Sequence, residues 1–156
     1  MPRNRAVAIL IKDNKLLATK RNNHGHHYYA LLGGGIEPGE TPAQAVVREI
    51  KEEAMFDCKL ERQLYEHHLD NGDKHYFFLC SIQKFDEPQM DPTSPEVLHA
   101  DPDDTIEPVW LNVVDLPTTL LYPLEVRDWL IEDLEMGFRP EVRFADIKLS
   151  ERRQTL

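Results

Sequence analysis

Three glutamates, Glu49, Glu52 and Glu53, stand at i, i+3 and i+4 in the run Arg48-Glu49-Ile50-Lys51-Glu52-Glu53. On a helix advancing about 100° per residue, Glu53 falls about 40° to one side of Glu49 and Glu52 about 60° to the other. All three carboxylates then share one face. On a solvated helix such like-charge neighbours cost about 0.2–0.5 kcal/mol per pair. In a partly buried cleft, at about 6 Å and an effective dielectric near 20, the cost rises to roughly 3 kcal/mol per pair. A divalent cation would offset that, and an all-oxygen ligand set favours Mg2+ or Mn2+ over zinc or copper. Taken alone, the acidic run reads more simply as a solvated face balanced by Arg48 and Lys51.

The preceding segment shifts the balance. Four of the seven glycines fall within residues 33–39 (Gly33, Gly34, Gly35, Gly39), and Glu37 and Glu40 are set beside them. Glycines allow positive φ and close backbone approach, and here they lead into a helix N-terminus, a setting suited to phosphate and metal. The run is not a Walker loop, because no Gly-Lys-Ser/Thr follows. Pro38 in place of a third glycine excludes the dinucleotide fingerprint.

Other elements must hold these residues in place. Thr41, Pro42 and Gln44 supply an N-cap, a first-turn proline and a capping box, so a helix is expected from there to about Ala54. Its apolar stripe is expected to be Ala43, Val47, Ile50 and Ala54, at about 100–160° from Glu49, with the acids facing sideways. Ala6–Ile11 and Lys15–Thr19 read as a hairpin about Asp13-Asn14. Asn22–His27 reads as a His-rich connector. A second hairpin is signalled by Asn71-Gly72, with a type I′ turn expected.

Residues 85–108 hold five of the eleven prolines and many acids, and read as one long loop. Val109-Trp110-Leu111 resumes a strand. A last helix fits Pro123–Met136, with Val126, Leu130 and Leu134 on one face and Gly137 as its stop. After Pro140 no element is assigned. One domain spanning residues 1–156 accounts for the whole chain, with no linker or repeat.

Composition narrows the function. Acids outnumber bases 28 to 18, a net charge of −10, which argues against binding duplex nucleic acid. Cys58 and Cys80 have neither disulfide-framework nor zinc spacing, and no apolar run is long enough for a secretory core or a membrane span. A soluble protein of a reducing cytoplasm is expected. His24, His26 and His27 read as a surface loop rather than a zinc site, Tyr76-Phe77-Phe78 as core and edge strand, and Trp110 as core.

Residues 34–56 resemble the box of the Nudix hydrolase family. Gly34, Glu40 and Arg48-Glu49-Ile50-Lys51-Glu52-Glu53-Ala54-Met55-Phe56 match its fixed positions, except that Met55 replaces the late glycine. Tyr29-Ala30-Leu31-Leu32-Gly33-Gly34 is similar to the family's run before the box, with Leu32 in place of a proline. The resemblance implies an α/β fold, a Nudix-type α/β/α sandwich around a mixed β-sheet.

It further implies a Mg2+- or Mn2+-dependent hydrolase cleaving the diphosphate linkage of a nucleoside diphosphate derivative. A modified or ordinary nucleoside triphosphate, giving monophosphate and pyrophosphate, is the favoured case. The alternative is a weak or inactive nucleotide-binding module on the same fold. By the same resemblance Glu49, Glu52, Glu53 and the Gly33 carbonyl hold the metal, and Glu49 is the first choice of base. Asp104 or Glu107 is the second choice. Glu53 and Arg48 also belong to the catalytic group, Arg48 by orienting a glutamate.

Glu40 would steady the loop, and Arg21 and Gly34 would meet substrate. Met55 is expected to alter the turn after the helix locally. A homodimer follows from family analogy only. The sixteenth and seventeenth residues after Phe56 are Gly72 and Asp73, neither the proline associated with ADP-ribose hydrolases nor the tyrosine associated with dinucleoside polyphosphate hydrolases.

Overall fold

A computed structural model describes residues 2–156. Two crossing ladders form the sheet. Strand β1 (Arg5–Lys12) pairs antiparallel with β2 (Lys15–Asn23) only at Ile11–Lys12, and the two then diverge. On one side β1 runs parallel to β6 (Lys74–Ser81) and antiparallel to the short β4 (Gly33–Gly35). β6 pairs with β5 (Lys59–Leu69), which takes β9 (Arg143–Ile147) in parallel. On the other side β2 pairs with both β3 (His26–Leu31) and β7 (Asp104–Asn112), and β3 takes the short β8 (Leu121–Tyr122).

Strand alternation divides the interior in two. Ala6, Ala8 and Leu10 of β1 pack with Val46, Ile50 and Ala54 of α1 (Pro42–Ala54). Val7 and Ile9 face the other way, onto Val126 and Leu130 of α3 (Leu124–Met136). Each fully buried aliphatic side chain contributes about 1.5–3 kcal/mol by leaving water. The result is the α/β/α sandwich around a mixed sheet that the resemblance implies. Among the described residues no helix is long and apolar enough to cross a membrane.

Several local expectations change. The positive-φ pair that a type I′ turn requires occurs at Asp13-Asn14 and again at His24-Gly25, not at Asn71-Gly72. Gly72 donates its N–H to the Leu69 carbonyl and is left-handed by itself, a three-residue connection. The His-rich connector shrinks to that tight turn, because β2 and β3 pair out to Asn23 and His26.

The long loop is shorter than expected. It contains α2 (Pro95–Leu98), and β7 already begins at Asp104. On α1 the buried face is Ala45, Val46, Glu49, Ile50, Glu53 and Ala54, while Val47 is exposed. The buried arc therefore centres near Glu53 rather than on the apolar residues, and two of the acids face inward. On α3 Leu134 is exposed, and Arg127 and Asp133 are buried instead.

Met55 sits at the C-cap of α1. It adopts the left-handed conformation itself (φ 57°) and its N–H closes onto the Lys51 carbonyl. That conformation costs a non-glycine residue about 1–2 kcal/mol.

Candidate active site

Helix α1 begins as its sequence requires. Thr41 accepts from the Gln44 N–H, the Gln44 side chain accepts from the Thr41 N–H, and Pro42 occupies the first turn. This start fixes the helix phase, and with it which carboxylates turn toward β4. Gly33 pairs with Val7 so closely that a Cβ there would lie 2.4 Å from the Ala6 carbonyl oxygen. A Cβ on Gly34 would lie 2.3 Å from Glu49 Oε1. The bare backbone of β4 is what lets the Glu49 carboxylate reach the sheet.

Arg48 organises the acids. Its Nε and Nη2 donate to the two oxygens of Glu40 at 2.8 and 3.0 Å, a bidentate pair. Nη1 donates to Glu49 at 2.9 Å and to Glu52 at 3.3 Å, and Nη2 also reaches the Gly35 carbonyl. Glu40 in turn accepts from the Glu37 N–H at 3.0 Å, so it ties the glycine loop to the helix. The Arg48 bonds hold the Glu40 carboxyl down at about 2.

Glu49 and Glu53 are nearly fully buried and lie against each other. Burial is the main cause that pushes both upward. For Glu53 the Glu49 charge and then Glu96 add to it, up to about 9. Without a cation, ionising both carboxyls of the pair at once is therefore disfavoured.

Both glutamates line a cleft of about 590 Å³ between β4, α1 and the start of β7. Arg21 and Asp104 face each other across it, Arg21 Nη2 lying 3.8 Å from Asp104 Oδ1. Arg21 Nε is buried without a partner. Gly33 and Gly34 also line the cleft. Glu107 does not: along β7 it alternates with Asp104 and Ile106, which do.

Glu52 turns away to Arg48, so among the described residues no three His, Cys, Asp or Glu side chains converge as a ready cage. The donor set nevertheless fits a hard divalent cation. Two buried carboxyls that resist ionising at once, beside a glycine cradle, gain from any cation that lets both ionise.

Sequence reasoning missed Arg5, Glu96 and His99, all of which line the cleft. Arg5 gave no signal beyond preceding an apolar strand. Glu96 and His99 lay within a stretch that the sequence marks only as acidic loop. That loop is strapped to α1: the Gln89 and Asp91 N–H groups donate to the Ala54 and Glu52 carbonyls. Trp110 stacks between Phe56 and Phe85 at the rim of the α1 core and donates to the Asp86 carbonyl, anchoring the same loop.

Comparison with known proteins agrees with this geometry. The model of the NUDIX domain matches residues 2–130. An ADP-ribose pyrophosphatase of Methanocaldococcus jannaschii is 59% identical over 57 residues, 36% of this chain and 34% of that protein. The chain spans about a third or less of the length of the curated relatives it matches. Among solved structures, a NUDIX hydrolase from Nitrosomonas europaea superposes with a TM-score of 0.70 at 17% identity, covering 94% of this chain and 79% of that one. An ADP-ribose pyrophosphatase of Streptococcus suis gives 0.61 at 20% identity, covering 94% and 100%. These two likenesses establish the fold.

Proposed function

The chain belongs to the Nudix hydrolase family, and on that premise we propose that it is a divalent-metal-dependent hydrolase of the diphosphate linkage in a nucleoside diphosphate derivative. The favoured substrate is an ordinary or modified nucleoside triphosphate, giving the monophosphate and pyrophosphate. The observation that carries this reading is the pair Glu49 and Glu53, buried together against the bare backbone of Gly33–Gly35.

Glu49, Glu53 and the Gly33 carbonyl would hold Mg2+ or Mn2+, and Glu52 would join them by leaving its bond to Arg48. When bound, the ion would neutralise phosphate oxygens and acidify a water. The remaining work falls to the chain itself. The Gly33–Gly35 backbone lets a diphosphate approach closely. Arg5 and Arg21 carry only donors, and they can neutralise the non-bridging oxygens and orient the chain of phosphates.

Glu49 is the proposed base. Arg48 holds its Oε1, which leaves Oε2 to take the proton of the attacking water. Asp104 is the second candidate, since it faces the same cleft with Arg21 opposite. Catalysis of this kind is mostly positioning and charge neutralisation.

The test is release of phosphate and pyrophosphate from a panel: ordinary and oxidised triphosphates, ADP-ribose, nucleotide sugars and dinucleoside polyphosphates. It is run with Mg2+ or Mn2+, beside Glu53→Gln. One substrate turned over and lost in the variant supports the reading. Nucleotide bound but never consumed would replace it with a binding module.

A further inference from the structure

Cys58 and Cys80 are the chain's two cysteines, and both are free thiols. Strand register brings them together. In the β5–β6 ladder Lys59 pairs with Ser81 and Leu60 with Cys80, so Cys58 lies one step beyond the first pair and diagonal to Cys80. Alternation turns residues 58, 60, 80 and 82 to one face of the sheet. There Cys80 and Ile82 are buried in the α1-side core, and Cys58 and Leu60 pack against it. The two thiols hydrogen-bond to each other.

Their surroundings differ. Cys80 is closed off within that core, whereas Cys58 is half-buried and opens onto a recess of about 580 Å³ shared with Met55, Phe56, Lys84 and Asp86. Cys80 does not line that recess, so a reagent as small as a peroxide meets Cys58 first. The hydrogen bond from Cys80 is the main influence on the Cys58 thiol and holds it below the usual range. The same bond, and then burial, push Cys80 up. The thiolate is the nucleophile, so the accessible thiol of the pair is also the one better prepared to attack.

Diagonal neighbours in a sheet stand about 7–8 Å apart, just beyond the roughly 4.4–6.8 Å that a disulfide spans between Cα atoms. Cys58 can supply the missing approach. It lies in the irregular run 55–58 between α1 and β5, where no sheet pairing holds it.

We propose that Cys58 is a peroxide-reactive site and Cys80 its resolving thiol, the two closing a reversible disulfide at the start of the β5–β6 ladder. In the first step the Cys58 sulfur attacks one oxygen of hydrogen peroxide. An S–O bond forms, the O–O bond breaks, and the departing hydroxide leaves as water with the Cys58 proton. In the second step the Cys80 sulfur attacks the Cys58 sulfenic sulfur. The S–S bond forms, the S–O bond breaks, and the hydroxyl leaves as a second water with the Cys80 proton. Together the two sulfurs lose two electrons, which the peroxide takes up. This chemistry is independent of the hydrolase reading.

The test exposes the whole chain to hydrogen peroxide under conditions where thermal melting shows it folded. Thiols are then counted after denaturation, and the non-reduced digest is mapped by mass spectrometry. The parent is expected to lose both thiols, to lose two hydrogens in mass while staying a single chain, and to yield one peptide joining Cys58 to Cys80. Dithiothreitol should restore both thiols. Cys80→Ala should leave Cys58 as a sulfenic acid that dimedone traps, and Cys58→Ser should leave the buried Cys80 unoxidised over the same time. If the Cys80 variant fails to fold, the parent decides by itself. A parent whose Cys58 reaches the sulfinic acid while Cys80 stays a thiol overturns the proposal. So does a bridge between chains, or no loss of thiol at all. Oxidation of Cys80 in Cys58→Ser at the parent's rate would overturn the assigned order of attack.

Discussion

Beneath α1, Glu49 and Glu53 press together two carboxyls that resist ionising at once. Beneath α3, the buried carboxylate of Asp133 receives the Tyr65 hydroxyl at 2.7 Å and Arg143 Nη1 at 3.0 Å, with Arg143 over the Trp129 ring. Both sides bury acids behind similar aliphatic layers. On the α3 side each oxygen of the acid has a donor, so the cluster ties α3 to β5 and β9. On the α1 side one cation, Arg48, is divided among Glu40, Glu49 and Glu52, and Glu53 gets no part of it. Like charge left unresolved in a nearly closed cleft is stability forgone, and a ligand can recover it.

The largest expected effect breaks the satisfied side. Asp133→Ala leaves the largely buried Arg143 and the Tyr65 hydroxyl without their main partner, and should lower stability by about 3–5 kcal/mol in urea denaturation. A loss under 1 kcal/mol would show that the two sides are alike.

Next, Glu53→Gln should reduce turnover on the order of 10²–10³-fold. Stability of the metal-free protein at pH 8 should be unchanged or higher, because the variant removes the conflict between the two carboxyls. A clear fall in stability would make Glu53 a structural residue.

The glycines give a sharper contrast. Gly34→Ala pushes only the movable Glu49 carboxyl, and should weaken Mn2+ binding about 10–100-fold with the melting temperature nearly kept. Gly33→Ala meets the backbone of Ala6 and Val7 and should lower the melting temperature itself. Identical behaviour of the two variants would dissolve the distinction between sheet pairing and site.

A last contrast lies in the pH dependence of metal-free stability. Glu53 has its folded value raised from 4.5 to about 9, so its contribution is full below 4.5 and is lost as pH rises through 9. His67 is lowered by burial from 6.5 to about 3, so its contribution is full above 6.5 and is lost as pH falls through 3. Denaturant midpoints across pH should fall away on both sides of a maximum. Glu53→Gln should flatten the alkaline limb and His67→Phe the acid limb. Exchange of the two effects would refute the assignment.

The α1 side could be read largely from the chain, because its information is local. Thr41, Pro42 and Gln44 mark the helix start, and the 3.6-residue period places Glu49, Glu52 and Glu53 on one face wherever the helix docks. The direction of docking was misjudged. The alanines and Val47 suggested one apolar stripe, whereas glycine backbone on β4 makes room for carboxylates on the buried arc.

The α3 side was hidden, because its partners are far apart in sequence. Tyr65, Asp133 and Arg143 meet only when β5, α3 and β9 are assembled. β9 itself joins by pairing with β5, so nothing within residues 143–147 alone announced it.

By itself the sequence determined the catalytic-type helix, its cap, its acids and the glycine run before it, since spacing along one element is set by covalent geometry. It also determined the hairpin that opens the sheet and the stop at Gly137. Only the tertiary structure decided that Glu53 is buried, that Glu96 and Arg5 share its cleft, and that Asp104 faces Arg21 while Glu107 faces away. It likewise decided that Cys58 meets Cys80. Burial and cross-strand register arise between elements, and no period within any single element encodes them.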